Sequence, residues 1–412
     1  MSRAGSQQRT LLALLAQLQP HWRRDRALPA RIHALLSRNR AFGSRDRRLY
    51  RELIYTTLRY LPWVEPWLAR DAERAAQLIV WLAHDDPSTT GLRAELLPGW
   101  PDAAGPAAAR AATLNTASPV AGSTPALVAG DLLPAWIDHE CPAARHEPML
   151  DALLARAPLW LRLREPHDAA VLEEFRARGW TPTPAEVCPT ALQLREPVDV
   201  TATEAYRSGR MEVQDLGSQL VLASTAVRPG SRWFDACAGA GGKTLQLADL
   251  VGPHGHVDAY DVRAEALREL ATRAERARVG HITVNPTPPA GTYDGVLVDA
   301  PCTGTGTWRR APHLKWTTSA DEIGVAAATQ RTLLDRFSVG VRPGGQLVYA
   351  TCSLCRTENE AVVAAFLATH PEFARERPRN DFGLAETAHG LPILPGRLDS
   401  DGFFVAHLRR QD

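Results

Sequence analysis

From Met211 onward, short apolar runs alternate with helical patterns, and this alternation restricts the fold more than any other feature. Strand-like runs fall at 233–236, 256–261, 281–285, 293–299 and 346–350, with helical spacing at 244–250, 265–279, 326–339 and 358–370. Strands joined by helices at this spacing lie parallel in one sheet covered on both faces. Such a sheet binds its ligands outside the carboxyl ends of its strands. The residues with chemistry to offer all fall there: 237–243 after the first strand, Asp261 after the second, Asp299 to Cys302 after the fourth, Thr351 and Cys352 after the fifth. The run 402–408 reads as a final strand, antiparallel at the sheet edge.

The upstream residues have another character. Leu11, Leu12, Leu14, Leu15 and Leu18 recur at helical spacing, as do Leu49, Leu53, Ile54 and Leu58 after Ser44 as N-cap. Residues 100–130 are rich in Ala, Pro, Gly, Ser and Thr and read as a linker, followed by more helix to about 157. Residues 158–210 form a small mixed α/β piece, too short to stand alone. The expected organisation is a helical domain over 1–157, a small α/β subdomain over 158–210, and an α/β catalytic domain over 211–412.

Net charge is +1 for the whole chain, which hides an asymmetry. Residues 1–60 hold 13 Arg against Asp25, Asp46 and Glu52, a net of +10. Arg38, Arg40, Arg45, Arg47, Arg48 and Arg51 cluster around the turn 41–44, an arrangement suited to nucleic-acid phosphates or to a solvated helical face. Among the 47 basic residues only Lys243 and Lys315 are lysine, and both sit inside the densest motifs. No run approaches the roughly 20 apolar residues of a membrane span. The run 11–18 is too short for a secretory leader, and the six scattered cysteines fit reduced thiols in the cytoplasm.

The loop Asp235-Ala236-Cys237-Ala238-Gly239-Ala240-Gly241-Gly242-Lys243-Thr244 admits three readings. A dinucleotide fingerprint needs a third glycine where Thr244 stands. A phosphate-binding loop is satisfied by Gly242-Lys243-Thr244, and Asp299 imitates its acidic strand, but Cys237 replaces the required first glycine. S-adenosylmethionine needs a carboxylate about 20 residues on for its ribose, and Asp261 is so placed, although NAD would use the same group. The cysteines break the tie. Cys302 and Cys352 stand at two neighbouring strand ends. A lone cysteine is ordinarily inert core, and Cys352-Ser353-Leu354-Cys355 lacks the second pair that zinc requires, so no metal is expected. Methylation of a pyrimidine at carbon 5 supplies a role for such thiols. Addition of a thiolate to carbon 6 makes carbon 5 nucleophilic, and a base must then remove the carbon 5 proton before the thiol can leave. An acidic group, Asp299, would hold the N3/N4 edge.

The segments 235–244, Asp299-Ala-Pro-Cys-Thr-Gly-Thr-Gly306, 308–316, Gln330, 343–353 and Glu358-Asn359-Glu360, with 213–219 and Asp401-Gly402-Phe403-Phe404, resemble the Sun/Fmu (RsmB-like) family of RNA cytosine-5 methyltransferases. The resemblance is strong over 158–412. Over 1–100 it is looser, to that family's NusB-like RNA-binding domain. It implies a Rossmann-like S-adenosylmethionine-dependent methyltransferase acting on structured RNA, ribosomal RNA above all, as a monomer. It implies Cys352 as nucleophile and Cys302 as the residue assisting product release, an order that the residues alone leave open. The resemblance assigns cofactor contacts to Cys237, Ala238, Gly239, Ala240, Gly241, Gly242, Lys243, Asp261 and Asp299, with Lys243 and Asp299 also near the base. Asn285 stands nearest to the family's missing acidic residue after the third strand. Other departures are Ala240 in place of Pro, Glu265 in place of Arg, and Arg162-Leu163-Arg164 in place of Arg-x-Asn. Arg309, Arg310 and Lys315 are expected either to line the RNA channel or to brace their own loop. An NTPase with a phosphate loop and a non-catalytic RNA-binding assembly factor are the competing functions.

Overall fold

A computed structural model describes residues 2–117, 126–196 and 198–412. The chain divides into two compact units, Met1–Ala155 with Trp308–Ser319, and Arg156–Thr307 with Ala320–Asp412.

The first unit is helical. The helix Arg3–Leu18 starts where Ser2 accepts from the Gly5 N–H, and it buries Leu11, Leu14, Leu15 and Leu18 on one stripe. The helix Ser44–Arg59 buries Leu49, Leu53, Ile54 and Leu58. Its N-cap is Gly43 rather than the expected Ser44, because the Asp46 carboxylate reaches back to the Gly43 N–H at 3.1 Å. Arg38, Arg40, Arg45 and Arg51 are exposed, as the basic cluster requires if it is to meet anything.

Two expectations fail here. The supposed linker contains the helix Ala107–Ala117, which buries Ala107, Arg110, Ala111 and Leu114. Alanine is the strongest helix former yet gives little apolar periodicity, so this helix is invisible to pattern. Arg110 donates to the Tyr60 hydroxyl at 2.6 Å and anchors it. The rest of the linker, 118–125, lies outside the described residues. The segment 308–319, read as part of the catalytic domain, packs with the helices instead. Lys315 Nζ donates to the carbonyls of Arg59 (2.8 Å) and Leu132 (3.2 Å), and Trp316 Nε1 to that of Leu58 (2.7 Å). Arg309 and Lys315 are both buried, so the bracing role holds for them and the channel role does not; Arg310 alone is exposed. Burial pushes the Lys315 ammonium well below its ordinary pKa.

The second unit holds two sheets. The strands β1 (Leu159–Leu163), β2 (Thr183–Ala185), β3 (Cys188–Leu194) and β4 (Met211–Val213) form an antiparallel sheet in the order β2-β3-β1-β4. The small piece therefore runs a strand further than 210, since Met211 completes its core with Leu161, Phe175 and Leu192. The large sheet contains β5 (Arg232–Asp235), β6 (His256–Tyr260), β7 (Ile282–Asn285), β8 (Tyr293–Asp299), β9 (Val341–Thr351), β10 (Phe373–Glu376), β11 (Leu391–Ile393) and β12 (Phe403–Arg410). Its order is β10-β12-β9-β8-β5-β6-β7, with β11 beside β12. The set from β5 to β9 is parallel, and Val296, Leu297 and Val298 on β8 are fully buried, as a strand covered on both faces must be. β12 runs antiparallel to β9 as expected but is not the edge, because β10 pairs outside it. Among the described residues no helix is long and apolar enough to cross a membrane.

His407 on β12 is buried, with Nε2 at 3.2 Å from both the Ser224 and Thr225 hydroxyls. Desolvation lowers its pKa to about 4. Between pH 6.5 and 4 the unfolded chain binds a proton that the folded chain excludes. Stability is therefore complete above pH 6.5 and is lost as the pH falls through this window, by up to roughly 3 kcal/mol. Urea unfolding at pH 7 and pH 4.5 should show that loss in the wild type and a distinctly smaller one in His407→Asn.

Candidate active site

The first site element is the loop leaving β5. Gly239 and Gly241 have φ of +53° and +87°, and a Cβ on Gly241 would lie 2.1 Å from Leu270 Cδ1, so the turn needs glycine there. Gly241 caps the helix Gly242–Val251, whose first N–H groups have no carbonyl four residues back. A Cβ on Gly242 would meet nothing within 4 Å, leaving open space beside those donors. The loop is tied to the next strand end. The Gly239 N–H donates to Asp261 Oδ2 at 2.8 Å, and the Ala238 N–H to the Tyr260 carbonyl at 2.9 Å.

Asp261 has a partner that the sequence reading missed. Arg263 donates to it through the backbone N–H (2.9 Å), Nε (2.9 Å) and Nη2 (3.0 Å). Burial alone would raise this carboxyl, but the Arg263 bonds outweigh burial and hold it below the usual range. Val262, next in the chain, is 80% exposed. Asn285 stands at the end of β7 with its amide donating to Asp258 Oδ1 at 3.1 Å. Cys237 is partly buried, and desolvation pushes its thiol far up, which makes it a neutral lining group.

Lys243 and Asp299 meet across the crevice, Nζ to Oδ2 at 2.8 Å, with Nζ also 5.0 Å from the centre of the Phe403 ring. The Lys243 side chain is only 8% exposed, and its compact ammonium needs less room than a guanidinium would. Behind them Asp235 accepts from Thr244 Oγ1 at 2.7 Å and is fully buried.

The two thiols come together. Cys302 Sγ lies 3.4 Å from Cys352 Sγ. Pairing of β8 with β9 continues past the strand through the Ala300 N–H to the Ala350 carbonyl, and the Gly306 N–H donates to the Cys352 carbonyl, both at 2.9 Å. A Cβ on Gly306 would sit 2.0 Å from the Gly402 carbonyl oxygen. The Asp299–Gly306 and Asp401–Phe404 motifs therefore lie against one another, with the Gly402 N–H donating to the Gly306 carbonyl at 2.9 Å. The hydrogen bond with Cys352 and burial push the Cys302 thiol well above its ordinary pKa. Cys355, by contrast, is buried with Sγ 3.6 Å from Thr305 Oγ1. Glu358, Thr303, Ser353 and Gln330 form a buried hydrogen-bonded group behind the thiols. The sequence supplied Gln330 and Glu358 as motif letters only, since their partners are distant in the chain.

The donor set suits S-adenosylmethionine. N–H groups of the loop and helix N-terminus are of the kind a carboxylate needs, and the Asp261 carboxylate is of the kind a diol needs. The doubly wound sheet with this crevice is that of an S-adenosylmethionine-dependent methyltransferase.

Comparison with known proteins narrows the class. Residues 222–409 match the family model of the 16S rRNA methyltransferase RsmB/F. The chain is 33% identical to the ribosomal RNA small subunit methyltransferase B of Xylella fastidiosa strain Temecula1 over 395 residues, covering 88% of this chain and 90% of that one. It is 29% identical to the protein of the same name from Pseudomonas putida, covering 96% of each. The crystal structure of PH0851 shares the fold at TM-score 0.73 and 20% identity, covering 92% of this chain and 93% of the other. NSun6 from Pyrococcus horikoshii with SFG matches at TM-score 0.60 and 16% identity, covering 67% and 97%. The chain belongs to the RsmB family of 16S rRNA methyltransferases.

Burial raises the Asp235 carboxyl to about pKa 7 in spite of the Thr244 bond. Between pH 4 and 7 the folded chain keeps a proton that the unfolded chain has released, so this group favours unfolding as the pH rises. Asp235→Asn should stabilise the ligand-free protein by up to roughly 4 kcal/mol at pH 8 and by nothing at pH 3.5. Denaturant midpoints at the two pH values measure this.

Proposed function

We propose that this protein methylates carbon 5 of a cytosine in ribosomal RNA through a transient bond between Cys352 Sγ and carbon 6 of the base. The observation that carries this reading is the pair of thiols 3.4 Å apart at the carboxyl ends of adjacent strands, beside the glycine loop. Family membership supports the methyltransferase reaction and the RNA substrate.

S-adenosylmethionine, held by residues 237–243, Asp261 and Asp299, supplies an electrophilic methyl group. The protein's own residues do the rest. Cys352 gives its proton to water and its thiolate adds to carbon 6, placing electron density on carbon 5. Asp299, fixed by Lys243, is positioned to accept from the N4 amino group of the base, and the Lys243 ammonium beside it is the positive group that stabilises the charge created by addition. Once carbon 5 is methylated, Cys302 in its thiolate form removes the carbon 5 proton. The electron pair left behind re-forms the ring double bond and expels Cys352 as thiolate. Bonding of Cys352 to carbon 6 removes the hydrogen bond and the charge from Cys352 that push the Cys302 thiol up, which frees Cys302 to release its own proton to water ahead of this step.

The target base must leave its stack to reach a crevice of this kind. In this reading the helical unit, NusB-like in sequence, holds RNA phosphates through Arg38, Arg40, Arg45 and Arg51. The protein acts as a monomer in the cytoplasm. Asn285 takes the place of the family's acidic residue near the adenine.

Cys352→Ala should lose methyl transfer entirely and form no covalent RNA complex. Cys302→Ala should instead stall after methylation and migrate with its RNA on a denaturing gel. Methyl incorporation and gel mobility check both, and an exchange of the two phenotypes would reverse the assignment of the thiols.

A further inference from the structure

Glu358 is fully buried two residues before the helix Glu360–Thr369, and it accepts from four donors, none of them a cation. The Thr303 N–H donates to Oε1 at 2.9 Å and Gln330 Nε2 to the same oxygen at 3.0 Å. The Thr303 and Ser353 hydroxyls each donate to Oε2 at 2.5 Å. Thr303 follows Cys302 in the chain, and Ser353 follows Cys352. Gln330, from the helix Ala320–Ser338, also donates to the carbonyl of Pro301, the residue before Cys302, at 3.0 Å. Asn359 completes the other side. It accepts from Thr351 Oγ1 at 2.6 Å and donates to the Ser353 carbonyl at 2.9 Å, gripping both neighbours of Cys352.

We propose that Glu358 is the positioning residue of the thiol pair: its carboxylate clamps the Cys302 loop to the Cys352 loop and sets the distance between the two sulfurs. This rests on the two-thiol reading above. An ionised carboxylate offers about four acceptor sites and no donor, which matches four converging donors. An amide at the same place would turn an N–H toward groups that already donate. A buried charge persists only when such bonds satisfy it. Glu358 touches neither substrate nor cofactor groups; it acts through Thr303 and Ser353.

The test uses the full-length protein equilibrated in glutathione buffers. One oxidised glutathione takes two electrons from Cys302 and Cys352, leaving an intramolecular disulfide and two reduced glutathiones, and peptide mapping reads the fraction oxidised. In Glu358→Gln the equilibrium constant for this disulfide should fall at least tenfold, with partial recovery in Glu358→Asp. kcat for methylation should fall at least a hundredfold, with KM for S-adenosylmethionine within twofold of wild type. A folded Glu358→Gln protein with an unchanged disulfide equilibrium would overturn the proposal. If Glu358→Gln does not fold, Ser353→Ala and Gln330→Ala each remove one donor and carry the same readouts. The disulfide equilibrium is independent of RNA, so failure of the clamp is distinct from failure of Cys352 to bond RNA.

Discussion

Everything chemical in this protein depends on the register in which β8 lies beside β9. Val296 to Asp299 pair residue for residue with Leu347 to Ala350, so the two strands end together. The chain then needs only two or three residues on each side to bring a sulfur into the same crevice. A slip of one residue would turn one of the thiols to the other face of the sheet. The register is held by apolar residues buried on both faces, which makes it insensitive to what happens at the surface. Gly306 extends the constraint beyond the strands, because only a residue without a side chain allows the Cys302 loop to lie against the backbone of Gly402.

Around that fixed point the protein buries several groups that water would otherwise solvate. Asp235 is held near neutral at the base of the glycine loop, Cys302 is kept protonated, and Glu358 remains a buried acceptor. Each costs stability locally, and the two apolar layers flanking the large sheet offset the sum. The polar groups face one another in two pairs, Lys243 with Asp299 and Cys302 with Cys352. Asp261 is preorganised in the same sense, with its carboxylate already oriented by Arg263 and the Gly239 N–H.

Much of this was legible in the sequence, for identifiable reasons. Buried parallel strands are continuous apolar runs, and the glycine loop advertises its own backbone needs, so β5 to β9 and the residues after them were placed correctly. What escaped was whatever depends on distant partners. Glu358 sits 55 residues from Thr303 and 28 from Gln330, and nothing local marks it as a clamp. The helix Ala107–Ala117 lacked a periodic apolar face. β10 was too short to be read, and so β12 was taken for an edge. Residues 308–319 follow a catalytic motif directly, which concealed that their Lys and Trp side chains cap carbonyls of the helical unit.

The central claim is that Cys352 is the atom donor to carbon 6. RNA bearing 5-fluorocytosine at the target position cannot lose a carbon 5 proton, so the covalent complex should accumulate in the wild-type protein with S-adenosylmethionine present. Digestion and mass spectrometry of that complex should place the nucleotide on the peptide containing Cys352. A nucleotide found on Cys302, or a methylated product formed with no protein attached at any time, would contradict the account.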